Sequence, residues 1–315
     1  MRLFTLLVVA ASVLSTTGTL RAQQPPVFGV DVEIINLNVS VTDSRNRFVT
    51  SLERSDFAIY EDGVRQKLTL FNHEDVAISL VLMVDTSASM ESKIETAQQA
   101  AISFVSTLEG TDRAQIVQFN DRATVLQDFT GEKKELEAAI LRTETSGPTA
   151  LHNALYIALK DLDKQKGIGE LRRLAVVLLT DGEDTSSLVT DEQVLQLARE
   201  TEISIYAISL RPERVQARDR LSFSQAAHLL TSLTRETGGR VFFPNSLSEL
   251  DAVYGRIAEE LRTQYSLGYA SANPRRDGRW RRIVVRTPER EDLQIRHKLG
   301  YYAPGRREGT TRSKF

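Results

Sequence analysis

The hydrophobic positions change period along the chain. Ile35, Leu37, Val39 and Val41 alternate with Asn36, Asn38, Ser40 and Thr42, the period-two pattern of a strand with one buried face. Asp43-Ser44-Arg45-Asn46 has the composition of a turn. Residues 57–60 and 65–71 flank Glu61-Asp62-Gly63, which predicts a β-hairpin with Gly63 at the position needing positive φ. From residue 77 the pattern shifts. Ile78-Ser79-Leu80-Val81-Leu82-Met83-Val84 is a nearly continuous apolar run, expected of a strand covered on both faces. Helical spacing follows in Ile94, Ala97, Ala101, Val105 and Leu108.

Further strands are predicted at 115–119, 123–129, 174–179, 203–208 and 240–243, the second of them as an antiparallel edge. Helices are predicted at 133–141, 150–162, 191–199, 225–236 and 247–262, with Gly238-Gly239 as a stop signal after the fourth. Such alternation predicts an α/β domain over 77–262: a doubly wound, mostly parallel sheet with right-handed crossovers. Its ligand site is expected at the carboxyl ends of the strands. Residues 265–269, 280–286 and 293–299 read as strands, with Asp277-Gly278 turning between the first two. The flanks, 23–76 and 263–303, are thus both β-rich. An isolated hairpin is barely stable in water, so the flanks are expected to pair with each other as a small sheet or sandwich. The tail, 304–315, has no apolar residue from Gly305 until Phe315 and is expected to be disordered.

The N-terminus adds a separate signal. Arg2 precedes an apolar run from Leu3 to Leu14, then a small and polar stretch ending in Arg21-Ala22. That grammar predicts an export signal over residues 1–22, and the apolar run is shorter than the roughly 20 residues a spanning helix needs. Leu20 is a poor residue three places before a cut at Ala22, so an uncleaved anchor, and with it a membrane association, stays open. Export leaves periplasm and secretion as alternatives.

Composition narrows the chemistry. The 315 residues are 41% hydrophobic and 26% charged with a formal charge of −2, ordinary for a globular protein and unlike a nucleic-acid binder. There is no cysteine, which excludes disulfides, thiolate metal sites and cysteine nucleophiles. The four histidines are scattered and form no HExxH or paired-histidine motif, so they read as structural or surface residues.

The chemistry concentrates at Asp85-Thr86-Ser87-Ala88-Ser89, at the carboxyl end of the most apolar strand and just before a helix starting near Glu91. Serines at a spacing of two can face one point from an extended loop. A carboxylate with two hydroxyls suits a hard divalent cation such as Mg²⁺, which prefers oxygen ligands and retains water.

The motif resembles the metal ion-dependent adhesion site of von Willebrand factor type A domains, a Rossmann-like fold. That resemblance implies two further ligands. Ser146-Gly147-Pro148-Thr149 resembles the family's threonine loop, with Pro148 in place of the usual second glycine. Leu178-Leu179-Thr180-Asp181-Gly182 matches its strand-end aspartate motif. The implied metal set is Asp85, Ser87, Ser89, Thr149 and Asp181. By family analogy, the carboxylates act partly through water, and Mg²⁺, Mn²⁺ or Ca²⁺ is completed by an Asp or Glu of a protein partner. Asp56-Phe57, Glu61-Asp62-Gly63, Thr237-Gly238-Gly239, Tyr265-Ser266-Leu267-Gly268-Tyr269 and Gly300-Tyr301-Tyr302 extend the resemblance to bacterial exported proteins of this kind, over nearly the whole chain past residue 22.

Other readings are weaker. A lone DxSxS can be a loop or a helix cap. Asp85 after an apolar strand also resembles the nucleophile of haloacid dehalogenase-like phosphatases, but Ser87 stands where the second aspartate belongs. Asp85-Thr86-Ser87 lacks the glycine of an aspartic protease turn, and no GxSxG or P-loop is present. Catalysis is therefore not expected. Arg275, Arg276, Arg279, Arg281, Arg282 and Arg286 read as a solvated hairpin with local ion pairs. Asn120-Asp121 reads as a turn, and Glu183 and Asp184 as a solvated rim. The expectation from all this is an exported, metal-dependent protein-binding module. Its alternative is an architectural subunit of an envelope assembly with a structural or absent metal.

Overall fold

The structure, a computed structural model, describes residues 34–73, 76–166, 171–181, 184–210 and 220–305, with side chains from 226 onward in the last stretch. The expected export signal, Pro25-Pro26 and residues 306–315 of the expected disordered tail lie outside the described residues. Among the described residues, no helix is long and apolar enough to cross a membrane.

The N-terminal flank forms β1 (Ile34–Thr42), β2 (Ala58–Glu61), β3 (Val64–Gln66) and β4 (Leu68–Asn72). The α/β region then runs β5 (Ala77–Asp85), α1 (Ile94–Ser106), β6 (Arg113–Phe119), β7 (Ala123–Thr130), α2 (Lys133–Leu141), α3 (Leu151–Asp163), β8 (Arg172–Thr180), α4 (Asp191–Glu200), β9 (Ser204–Ser209), α5 (Arg220–Thr237), β10 (Arg240–Phe242) and α6 (Leu250–Thr263). The C-terminal flank contributes β11 (Tyr265–Ala270), β12 (Trp280–Arg286), β13 (Gln294–Arg296) and β14 (Gly300–Tyr302).

The central sheet has the order β10-β9-β8-β5-β6-β7, parallel except for the antiparallel edge β7. All nine residues of β5 are buried, as its unbroken apolar run requires. Its alternate residues feed two cores. Leu80, Leu82 and Val84 pack with α1 and α6, and Val81 and Met83 pack with α3 and α4. At the close of α5, Gly238 takes φ +80 and ends the helix, while a Cβ on Gly239 would collide with the Ile205 carbonyl.

The flanks form a sandwich. One sheet has the order β13-β1-β11-β4 and the other β14-β12-β2-β3, so each sheet draws strands from both ends of the chain. Leu37 and Val39 of β1, Tyr265 and Leu267 of β11, Ile59 of β2 and Ile283 of β12 meet in its core.

Three sequence expectations are corrected. The run 65–71 is not one strand: β3 pairs with β2 and β4 with β11, with Lys67 between them. The run 293–299 is likewise shorter as a strand, with β13 on β1 and a separate β14 on β12. In both places the chain leaves one sheet for the other, which a sandwich corner demands and a period-two pattern does not reveal. Finally, β11 and β12 lie in different sheets, so the turn at Gly278 (φ +66) connects sheets and closes no hairpin.

The outer face of the first sheet meets the α/β region through buried polar groups. Glu260 of α6, wholly buried, accepts from Ser40 Oγ at 2.9 Å and Tyr206 Oη at 2.8 Å and pairs with Arg296. Arg173 of β8 donates to the carbonyls of Leu261 (3.0 Å) and Gln264 (2.5 Å), capping the carboxyl end of α6.

Candidate metal centre

The chain runs from β5 outward to β6 and β7, then returns to β8 on the other side of β5. The carboxyl ends of β5 and β8 therefore flank the topological switch point, where open α/β sheets bind ligands. Asp85 ends β5 there. The register pairing Val84 with Leu179 puts Thr180 beside it and Asp181 just beyond.

Asp85 is fully buried. Its Oδ1 accepts from Ser87 N at 2.9 Å and its Oδ2 from Thr180 Oγ1 at 2.6 Å. Burial pushes its carboxyl above the ordinary value. Hydrogen bonds from Ser87 and Thr180 oppose that rise, and the Asp181 charge adds to it. The two serine hydroxyls lie 3.1 Å apart, and Ser89 Oγ donates to Asp181 Oδ1 at 2.8 Å. Ser87 and Asp181 are buried, whereas Ser89 is exposed, so the cluster opens outward on its side. Lys93 supplies a cation: its ammonium pairs with Asp181 Oδ2 and donates to the Ser89 carbonyl at 3.3 Å.

Thr149 is buried and tied in through backbone. Ser146 N donates to Thr86 O at 2.7 Å and Ala88 N to Gly147 O at 3.0 Å, which clips the threonine loop to the aspartate loop. Gly147 takes φ +69, and the path accommodates Pro148. On the other side Thr149 O accepts from Thr185 N at 2.8 Å. The structure thus links Asp85, Ser87, Ser89 and Asp181 by side-chain contacts and brings the Thr149 loop against them through its main chain.

Several contributors escaped the sequence reading. Thr180 holds Asp85, and its place follows from strand register. Lys93 lies four residues after Ser89, one helical turn on, and that spacing was the available signal. Asn120 is more than a turn residue: its carbonyl accepts from Ala150 N at 2.6 Å and its amide reaches Ser146 Oγ at 3.0 Å. Asp184 is not merely a solvated rim. It accepts from Ser187 Oγ at 2.5 Å and from His152 N at 3.2 Å, fixing the third loop to the start of α3. The expected helix start near Glu91 is displaced: a 3₁₀ turn spans Ala88–Met90 and α1 begins at Ile94. In the basic run, Arg281 is buried against Asp277 at 2.8 Å, so β12 turns one arginine inward while Arg282 and Arg286 stay exposed.

The donor set is entirely oxygen, two carboxylates with hydroxyls, which fits a hard divalent ion. Among the described residues no group of three or more His, Cys, Asp or Glu side chains could hold a metal. A cationic ammonium already sits on it, so the cluster's own charge balance calls for positive charge.

Residues 80–183 match the sequence model of the von Willebrand factor type A domain. The chain carries a von Willebrand factor type A domain. A UPF0353 protein of Nocardia farcinica is 27% identical over 223 residues, covering 61% of this chain and 66% of that protein. An uncharacterized protein of Synechocystis sp. is 31% identical over 110 residues, covering 34% of this chain and 26% of the relative. The chain thus spans less than two thirds of either relative. Among solved structures, proximal thread matrix protein 1 from the mussel byssus, with a zinc occupied MIDAS motif, superposes with a TM-score of 0.50 at 18% identity. The likeness covers 64% of this chain and 49% of that one, and it concerns the fold. The matched residues carry β5 to β8 of the central sheet with α1, α2 and α3.

Proposed function

We propose that this chain is an exported protein-binding module whose von Willebrand factor type A domain holds a divalent ion, Mg²⁺, Mn²⁺ or Ca²⁺, with Asp85, Ser87, Ser89, Thr149 and Asp181. Through that ion it engages an Asp or Glu carboxylate of a protein partner. The observation that carries the reading is the linked oxygen cluster at the switch point, with Asp85 and Asp181 on neighbouring strand ends and both serines between them. Two carboxylates leave a divalent ion's coordination open to a further anionic oxygen. The zinc occupied site of the mussel protein is a precedent for metal at this place in the fold. Residues 1–22 serve as the export signal, 23–76 and 263–303 as an accessory β unit, 77–262 as the binding domain and 304–315 as a tail. Recognition rather than catalysis is the task of this site.

The test is a calorimetric titration of Mg²⁺ and Mn²⁺ into the metal-stripped protein beside Asp85→Ala and Asp181→Ala. Saturable binding in the wild type, lost in both variants, is expected. A wild type that binds neither ion overturns the reading.

A further inference from the structure

The Asp181 carboxylate is nearly closed to solvent, with its side chain 2% exposed, yet both its oxygens are engaged: Oδ1 by Ser89 Oγ and Oδ2 by the ammonium of Lys93. Lys93 is itself only 13% exposed and also donates to the Ser89 carbonyl. Its stem rises from the turn between the 3₁₀ segment Ala88–Met90 and α1, where Lys93 N bonds to Met90 O at 2.8 Å. The amine is thereby anchored to the loop that carries both serines. It lies on an oxygen that a metal would use.

We propose that Lys93 is a built-in competitor for the metal: its ammonium neutralises Asp181 in the unloaded site, must leave that carboxylate when a divalent ion enters, and so sets the concentration at which the site loads. This inference rests on the metal-binding reading above and adds its regulation. An ammonium and a divalent ion cannot share one carboxylate oxygen at contact distance without strong repulsion. Without an ion, the carboxylate is neutralised by a side chain of the same loop. Loading exchanges one internal charge for one external ion and releases a lysine at the rim where a partner's carboxylate would arrive. The solvent access that remains to Lys93 keeps the strength of the pair modest, so its removal is expected to tighten metal binding by about tenfold.

The experiment is calorimetric titration of Mg²⁺ and Mn²⁺ into the full metal-stripped chain as wild type, Lys93→Met and Lys93→Arg, with metal-free thermal melts of each. Lys93→Met is expected to bind both ions about tenfold more tightly and to melt a few degrees lower without metal, while Lys93→Arg, which keeps the charge, stays near the wild type. A dissociation constant for Lys93→Met within twofold of the wild type, or weaker, overturns it and leaves the metal reading standing. No binding in any of the three proteins overturns the metal reading, and the competitor with it. A metal-free double-mutant cycle with Asp181→Asn checks the pair itself: stability losses that simply add would remove Lys93 as the partner of Asp181.

Discussion

At the carboxyl end of the central sheet, Asp181 is held by Ser89 and Lys93 of the segment between β5 and α1, and Asp85 by Ser87 of that segment and by Thr180 at the end of β8. In the sandwich and along its contact with the domain, buried charge is held differently. Glu61 accepts from Tyr269 Oη at 2.8 Å, Ser271 Oγ at 2.6 Å and Tyr301 Oη at 3.0 Å, three donors more than 200 residues away in the chain. Glu260 takes Ser40, Tyr206 and Arg296 from three separate elements. The partners of Asp181 can change without moving a strand. Those of Glu61 and Glu260 cannot, because all but Ser271 stand on strands. Buried carboxylates alone therefore do not mark a binding site, and the mobility of their partners separates the two kinds.

The largest test of that contrast is Glu61→Ala. It leaves two buried tyrosine hydroxyls and the half-buried hydroxyl of Ser271 without their acceptor, at a cost of about 3–5 kcal/mol. Burial and the nearby Glu61 charge push the Tyr269 hydroxyl far up, and burial pushes that of Tyr301 up to about 12, so both stay protonated donors at neutral pH. Urea unfolding should show the loss, while metal titration of the folded fraction should match the wild type. Altered metal affinity would mean that sandwich and site are coupled, and the contrast would fail.

Lys298 gives a second test, of opposite sign. It is buried at the amino end of the sheet, where its ammonium donates to Thr201 O at 3.3 Å, and burial lowers it to about 8 from an ordinary 10.5. The folded pKa lies below the unfolded one, so between about pH 8 and 10.5 the unfolded chain holds a proton that the folded chain releases. Stability from this group accordingly rises with pH through that window, and below it the folded state bears the full cost of the buried charge. Lys298→Met should be more stable than the wild type at pH 7 by about 1–3 kcal/mol, the gap narrowing as pH rises toward 9.5. The difference between the two proteins isolates this group from the tyrosines. A variant less stable at pH 7 would show that the lysine has a function in holding Thr201 and Glu202 that outweighs its desolvation.

The two regions also differed in how far the sequence disclosed them. β5 and its motif were legible because a strand buried on both faces is apolar throughout, and the oxygen-bearing loop follows it directly. The alternation of strands and helices gave the doubly wound sheet. Thr180 was hidden, since its contact with Asp85 comes from the register of β5 against β8 and the two residues are 95 apart in the chain. The sandwich was legible as a pairing of flanks but not in its strand order. A bend at Lys67, and another between Arg296 and Gly300, passes the chain from sheet to sheet without breaking the hydrophobic pattern. The role of Glu61 was invisible for a related reason: its donors belong to strands that only the closed sandwich brings together.

Ser87→Ala is the smallest change in stability and the sharpest separation of the two kinds of charge. The Ser87 hydroxyl contacts Ser89 Oγ at 3.1 Å and helps hold the Asp85 carboxylate, while the 2.9 Å bond to Asp85 from the Ser87 backbone is one that alanine retains. Losing one hydroxyl while the backbone and Thr180 bonds to Asp85 remain should cost about 1 kcal/mol. If the hydroxyl is a metal ligand, the same substitution should weaken Mg²⁺ binding by tenfold or more, because alanine offers no oxygen and the fixed backbone cannot bring another into its place. Thermal melting with and without Mg²⁺ reads both effects: a near-native melting temperature without metal and a lost metal-dependent rise. A variant that keeps the rise would take Ser87 out of the ligand set and leave the two aspartates, Ser89 and Thr149 to hold the ion.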